Sequence, residues 1–379
     1  MNATEETSHN RRYTQLSLAA HLRERIRETG PITFRDWMEA ALYDPYEGYY
    51  RRANLRRWGR QGDYRTSPER SPLFAVTFAR YFAGLYEALN RPGRWTIVEM
   101  GAGGGHFAEG VLTTLQLRFP DILLSTRYVI DEVSESSGVA ARARLARFGP
   151  NVEFLPLTET AIEAGLIFSN ELLDSFAVHR VTVHDGQLNE FYVTLDKGGE
   201  FKWTLGPPST LRISEYLDFV GALISEGQVV EINLGIEDWL TKIAARLGNG
   251  YIVTVDYGHD ASELHGITGR EQGTLRAIRR HQFVDDVLAQ PGEQDLTTTI
   301  DWSFVRKLGE RLGLETVEFE RQDRFLLKAG LIEELQAAAA QSETEAEKLK
   351  LRLSSREMIF PDGMAASFQV LVQKKALRI

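Results

Sequence analysis

Trp95-Thr96-Ile97-Val98-Glu99-Met100-Gly101-Ala102-Gly103-Gly104-Gly105 decides the fold of this 379-residue chain. Six mostly apolar residues make a short strand, and the glycines stop it at once. Beyond them Phe107, Val111 and Leu115 recur every four residues, the spacing of a helix that buries one face on a sheet. Working outward, Tyr128-Val129-Ile130, Val152-Glu153-Phe154 and Gly165-Leu166-Ile167-Phe168 read as the second, third and fourth strands, and Tyr251 to Val255 as a later one. Strand, helix, strand at this spacing predicts an α/β fold around a parallel, doubly wound sheet. Phe368 to Val372 predicts a closing antiparallel strand.

The flanking regions differ in pattern. Leu18 to Thr29 reads as a helix, with Leu22 and Ile26 on one face, and Thr33 as the N-cap of a second helix reaching about Leu42. A turn-rich, Arg-rich stretch, Asp44 to Pro72, precedes a helix over Leu73 to Leu89. Between Val181 and Trp203 the period drops to two, with turns at Gly186 and Gly198-Gly199, which predicts inserted antiparallel hairpins. Helices are expected over Ile236 to Leu247 and, as one long element, Ile332 to Leu353. The expected division is a tail (1–17), an N-terminal helical section with the Arg-rich loop (18–90), a core (91–180 and 228–379) and a β-rich insert (181–227).

Composition excludes several classes. Hydrophobic residues at 43% and charged residues at 26% are those of an ordinary globular protein, so disorder over most of the length is ruled out. The absence of Cys removes disulfides, thiolate zinc and a Cys nucleophile. A net charge of −9 argues against dedicated binding to bulk nucleic acid. No apolar run approaches the roughly 20 residues that span a bilayer, so no membrane insertion is expected. Met1 to Asn10, with Glu5 and Glu6, resembles neither a secretory signal nor a transit peptide, and a cytoplasmic location is the expectation. The eight histidines show no ligand spacing, and no metal is expected.

The glycine turn carries the chemistry. Dinucleotide sites prefer G-x-G-x-x-G, and here the third position of that pattern is His106, so that fingerprint fails. Acidic-x-G-x-G-x-G, from Glu99 through Gly101, Gly103 and Gly105, fits the S-adenosylmethionine form instead. A closing antiparallel strand is normal for methyltransferases that use it. A ribose-bearing cofactor needs a carboxylate at the end of the second strand, where Asp131 and Glu132 both stand. The fourth strand ends in Ser169-Asn170-Glu171-Leu172-Leu173-Asp174, and ligands of doubly wound sheets lie beyond such ends. Glu171 and Asp174 could hold a guanidinium and localise its charge, or simply cap a helix. Seven arginines between Arg51 and Arg70, interleaved with Trp58 and Tyr64, could contact RNA, form a solvated face or dock an acidic protein.

These residues resemble the MidA-like methyltransferases, a group that includes the mitochondrial arginine methyltransferase assisting respiratory complex I assembly. The likeness runs from about Ile32 to Val372. It rests on Ala41-Leu42-Tyr43-Asp44-Pro45, Gly48-Tyr49-Tyr50, Gly62-Asp63-Tyr64-Arg65-Thr66-Ser67-Pro68-Glu69, the glycine turn, Glu132-Val133-Ser134, Asn170-Glu171-Leu172-Leu173-Asp174, Asp256-Tyr257-Gly258, Gly273-Thr274-Leu275-Arg276, His281, Pro291-Gly292 and Asp295-Leu296-Thr297. Ala75, Phe176 and His106 depart from the pattern, and each could alter the shape of the pocket.

The resemblance implies a class I, Rossmann-like methyltransferase core using S-adenosyl-L-methionine and releasing S-adenosyl-L-homocysteine. It selects Glu132 over Asp131 for the ribose and adds Asp63 and Thr66 as a lid touching the cofactor. Asn170, Glu171 and Asp174 are expected to line the acceptor pocket, with Asp256 and Tyr257, at the end of the next strand, also facing the reaction, and His281 and Asp295 as candidates for the pocket wall or a proton path. The acceptor it implies is a protein arginine, with a respiratory complex I subunit as partner. A cofactor-binding assembly factor with little catalysis and an RNA methyltransferase are the alternatives.

Overall fold

Each apolar run of the central region forms the strand its composition favours. The computed structural model describes residues 17–52, 71–266, 271–280, 282–359 and 367–376. Two compact units share them: one contains 17–52, 174–236 and 259–304, the other 71–173, 237–258 and the residues from 305 onward. The division therefore parts the helix Pro72–Ala88 from the two helices before it, although all three lie in the stretch 18–90.

Seven strands of one sheet belong to the second unit. Its strands are β1 (Trp95–Met100), β2 (Thr126–Asp131), β3 (Val152–Phe154), β4 (Ile162–Asn170), β5 (Leu247–His259), β6 (Glu315–Arg321) and β7 (Phe368–Lys375). They lie in the order β3-β2-β1-β4-β5-β7-β6. The first five are parallel, and β7 runs antiparallel to both β5 and β6. The closing antiparallel strand is thus present. The strand order reverses at β1, in the middle of the sheet, and the carboxyl ends of β1 and its neighbours are where such sheets hold their ligands.

Helices α1 (Pro72–Ala88), α2 (His106–Arg118) and α3 (Glu135–Leu145) flank that sheet. Phe74, Phe78, Phe82, Phe107 and Phe168 pack as one buried aromatic group, with Phe107 stacked on Phe168 at 4.2 Å. Gly110 of α2 accommodates Ala75 of α1: a Cβ there would lie 2.5 Å from the Ala75 Cβ. The departure at Ala75 is absorbed by this helix contact.

One strand here was not foreseen, and one expectation is corrected. Strand β6, Glu-Thr-Val-Glu-Phe-Glu-Arg, was not anticipated, because charges alternate with its apolar residues as befits an edge strand paired on one side. The long helix over Ile332 to Leu353 is two helices, Leu331–Gln341 and Glu345–Ile359. A capping box separates them: Thr344 Oγ1 accepts from Glu347 N at 3.2 Å, and Glu347 Oε2 accepts from Thr344 N at 3.1 Å. Thr344→Ala is expected to lower the unfolding free energy by about 1 kcal/mol. Chemical denaturation measures this, and an unchanged midpoint would remove the box from the account.

In the first unit an antiparallel sheet joins Ile32–Thr33, Gln187–Leu195, His179–His184 and Val229–Ile232, with Phe201–Gly206 also on Gln187–Leu195. Asp185 (φ 53°) and Gly186 (φ 70°) make the tight turn of its first hairpin. The helices Leu18–Thr29 and Phe34–Tyr43 bury Leu22, Ile26, Phe34, Trp37 and Met38. A small sheet, Arg276–Arg279 between Gln282–Val284 and Asp295–Thr297, was also unforeseen, since its strands are only three or four residues long.

Candidate active site

Beyond β1 the chain turns through Gly101, Gly103 and Gly105, with φ of 68°, 53° and 76°. Such values suit glycine because no Cβ meets the following carbonyl. Gly101 N donates to Asp131 O at 2.8 Å, so the turn is tied to the end of β2. Glu132 completes the tie: its Oε2 accepts from Gly103 N and its Oε1 from Ser134 N, both at 2.7 Å. Asp131 points its carboxylate elsewhere, accepting from Leu157 N at 2.9 Å, and burial pushes it up against that hydrogen bond. Of the two strand-end carboxylates, Glu132 is the one at the glycine turn.

Glu99 is buried at the base of this turn. Its Oε2 accepts from the Tyr128 hydroxyl at 2.6 Å. Burial pushes its carboxyl up to about 8, Tyr128 opposes that rise, and Glu132 adds to it. Two contributors were missed in the sequence. One is Tyr128, which reads there only as a strand residue. The other is Arg144 of α3, whose Nε donates to Gly104 O at 2.8 Å while Nη1 pairs with Glu109 at 2.9 Å. No local motif marks an arginine forty residues from the turn it braces. His106, opening α2, is pulled down by burial and by Arg144, with Glu109 opposing.

The second group stands at the ends of β4 and β5. Asn170 Nδ2 donates to Glu171 Oε1 at 3.1 Å, while Asn170 Oδ1 is buried without a hydrogen-bond partner. Glu171 has φ 52°, a left-handed conformation rare outside Gly and Asn, and such strain gathers at functional sites. Asp256 is fully buried; its Oδ1 accepts from Tyr257 N and its Oδ2 from Leu173 N, each at 2.9 Å. Leu172 closes on the glycine turn, 3.1 Å from where a Gly101 Cβ would be. The structure therefore gathers Glu99, Gly101, Gly103, Gly105, Glu132, Asn170, Glu171 and Asp256 along the carboxyl edge of one sheet.

Asp174 belongs to the first unit, where its carbonyl accepts from Thr298 N at 2.9 Å. Tyr43, bonded to Ser175 Oγ at 3.0 Å, is held well above its ordinary range by burial. Ser175 opposes that shift, and Glu39, Asp174 and Asp295 add to it. Asp295 accepts from the Tyr50 hydroxyl at 2.8 Å. Gly273-Thr274 forms a clamp: Glu231 accepts from Thr274 N at 2.6 Å and from Arg180 Nε at 3.1 Å. A Cβ on Gly273 would lie 2.2 Å from that carboxylate. Phe176, the second departure, packs in the same unit at 3.3 Å from where a Gly235 Cβ would be.

Asp63, Thr66 and His281 lie outside the described residues, as does the Arg-rich loop beyond Arg52. Arg52 itself pairs with Glu47 at 3.4 Å and Glu293 at 3.7 Å. Among the described residues, His184, Asp185 and Glu226 could bring ligand atoms together around a metal ion. They are exposed, and Glu226 already accepts from Asp185 N and Gly186 N of the hairpin turn. No described helix is long and apolar enough to cross a membrane.

Comparison with known proteins identifies the family. Residues 77–320 match the family described as "Putative S-adenosyl-L-methionine-dependent methyltransferase". A crystal structure from Burkholderia thailandensis, bound to S-adenosylhomocysteine, is 30% identical, with a TM-score of 0.83 over 94% of this chain and 92% of that one. The mitochondrial protein arginine methyltransferase NDUFAF7 homolog of Drosophila melanogaster is 27% identical over 78% of this chain and 71% of its own. The NDUFAF7 protein of Danio rerio is 24% identical over 93% and 86%. The chain belongs to this methyltransferase family and is a class I enzyme that uses S-adenosylmethionine and releases S-adenosylhomocysteine.

Proposed function

We propose that the methyl acceptor is an arginine of a protein, a respiratory complex I subunit, and that Asn170 and Glu171 receive it. The strained Glu171, hydrogen-bonded to Asn170 at the sheet edge, is the observation that carries this reading. The relatives named as protein arginine methyltransferases support it.

The residues present fit the cofactor. Three positive-φ glycines let a ligand approach the backbone, α2 begins at Gly105 with no side-chain cap, and Asn170 Oδ1 is a buried acceptor in want of a donor. Glu99, Gly101, Gly103, Gly105 and Glu132 would hold it. When bound, it supplies an electrophilic methyl group on a sulfonium. Glu132 would exchange its N–H partners for ribose hydroxyls, and Glu99 would face the cationic end.

Glu171 has the work of orientation. A carboxylate accepting guanidinium N–H groups concentrates the positive charge on the nitrogens it binds, which leaves a lone pair on the third. The bound cofactor would supply the methyl group to that nitrogen as its sulfonium becomes a thioether, and the proton the nitrogen gives up would pass to bulk water. The gain is one of positioning and electrostatic fit.

Tritiated S-adenosylmethionine and purified complex I subunits test the proposal. Tritium is expected in methylarginine after hydrolysis, and label in another residue type, or none, would overturn the acceptor assignment. Glu171→Gln is expected to lower kcat at least about a hundredfold while S-adenosylhomocysteine affinity stays within about threefold. Unchanged turnover would sink the role of Glu171.

A further inference from the structure

We propose that Asp256 is a positioning residue, whose carboxylate holds Glu171 in its left-handed conformation through the Leu173 N–H. This rests on the reading that Glu171 orients the acceptor. Strands β4 and β5 are parallel and in register, with Thr254 beside Ser169 and Val255 beside Asn170. One step further Glu171 N donates to Val255 O at 2.9 Å, so the ladder continues through the residue at which the chain reverses its φ. Two residues on, Leu173 N donates to Asp256 Oδ2 at 2.9 Å. Both flanks of Glu171 are therefore fixed by consecutive residues of β5.

The carboxylate is fixed as well. Oδ1 accepts from Tyr257 N at 2.9 Å, and the side chain is wholly buried. Two N–H groups converge on two acceptor oxygens, a set that an amide cannot reproduce, because its NH2 would confront one of the donors. A left-handed residue other than Gly persists only where its surroundings over-determine it. The two-strand clamp does so here, and Asn170 fixes the other end of Glu171 by donating to Oε1. The bond to Leu173 N ties Asp256 to the segment that carries Glu171, and its effect on the reaction runs through that residue.

The clamp makes Asp256→Asn and Glu171→Gln non-additive. Asp256→Asn alone is expected to lower kcat for tritium transfer to complex I subunits by ten- to a hundredfold. S-adenosylhomocysteine affinity, by calorimetry, should stay within about threefold. In the Glu171→Gln background the same change should lower kcat by less than about twofold, since the group being positioned has already lost its charge. Losses that multiply in full would overturn the proposal, because Asp256 would then act independently. Wild-type kcat in Asp256→Asn, with Glu171→Gln slow, would overturn the clamp and leave the role of Glu171 standing. Wild-type kcat in Glu171→Gln would remove the role itself. Should Asp256→Asn fail to fold, Asp256→Asn with Glu171→Gly decides: glycine meets no penalty at this φ, so folding should return, and continued failure would overturn the proposal.

Discussion

Gly105→Val is expected to weaken binding of S-adenosylmethionine and S-adenosylhomocysteine by about a thousandfold, with kcat/KM falling in step. Two effects combine. At φ 76° a β-branched residue is strained, which costs on the order of a few kcal/mol. The first atom of the side chain would also lie 3.1 Å from the Ala141 Cβ and 3.2 Å from the Ala141 Cα. The second contact is with backbone, so α3 itself must move. That helix starts at Ser134, whose N–H is held by Glu132, and Glu132 also accepts from Gly103. Displacing α3 therefore disturbs both walls of the proposed cofactor cradle. Gly138→Ala is the control on the same helix, because a Cβ there meets nothing within 4 Å. It should keep full affinity and raise stability by up to about 1 kcal/mol. Calorimetric titration of both variants tests the argument, and retained affinity in Gly105→Val would refute it.

Stability is expected to fall as pH rises from about 4.5 to about 8, and Glu99→Gln is expected to abolish much of that fall. The unfolded carboxyl titrates near 4.5, whereas burial holds the folded one at about 8. Below 4.5 both states are protonated and the contribution to stability is complete. Between the two values only the unfolded chain releases a proton, so each pH unit costs about 1.4 kcal/mol, a few kcal/mol in all. Glutamine stays neutral throughout and still offers the Tyr128 hydroxyl an oxygen. Denaturation at pH 5, 7 and 9 should give diverging stabilities, the variant gaining on the wild type as pH rises. A constant difference across that range would show that Glu99 does not carry the proton. A cationic ligand beside Glu99 favours its ionised form, so wild-type cofactor affinity should rise with pH where the variant's stays flat.

The sheet was legible because its strands are short apolar runs separated by glycine turns and amphipathic helices, and that signal is local. The same holds for Glu99, Gly101, Gly103 and Gly105, whose spacing is a property of one turn, and for Asn170 and Glu171, which end one strand. Strand β6 escaped because an edge strand keeps its charges. The break between Leu331–Gln341 and Glu345–Ile359 was written in Thr344 and Glu347, but the apolar period runs across it.

What the sequence by itself determined is the class of fold, the glycine turn and the identity of the polar residues beyond β4. Choosing between Asp131 and Glu132 took the family likeness, and the structure shows the physical basis: one carboxylate bends back to Leu157 N and the other reaches Gly103 N. Tertiary structure alone decided that Arg144 braces Gly104, that Tyr128 holds Glu99, and that Asp256 meets Leu173 N rather than open space. Those contacts join residues twenty-nine to eighty-three positions apart. A sequence records each partner's chemistry, but the direction in which a buried side chain spends its hydrogen bonds depends on which backbone donors the fold brings beside it.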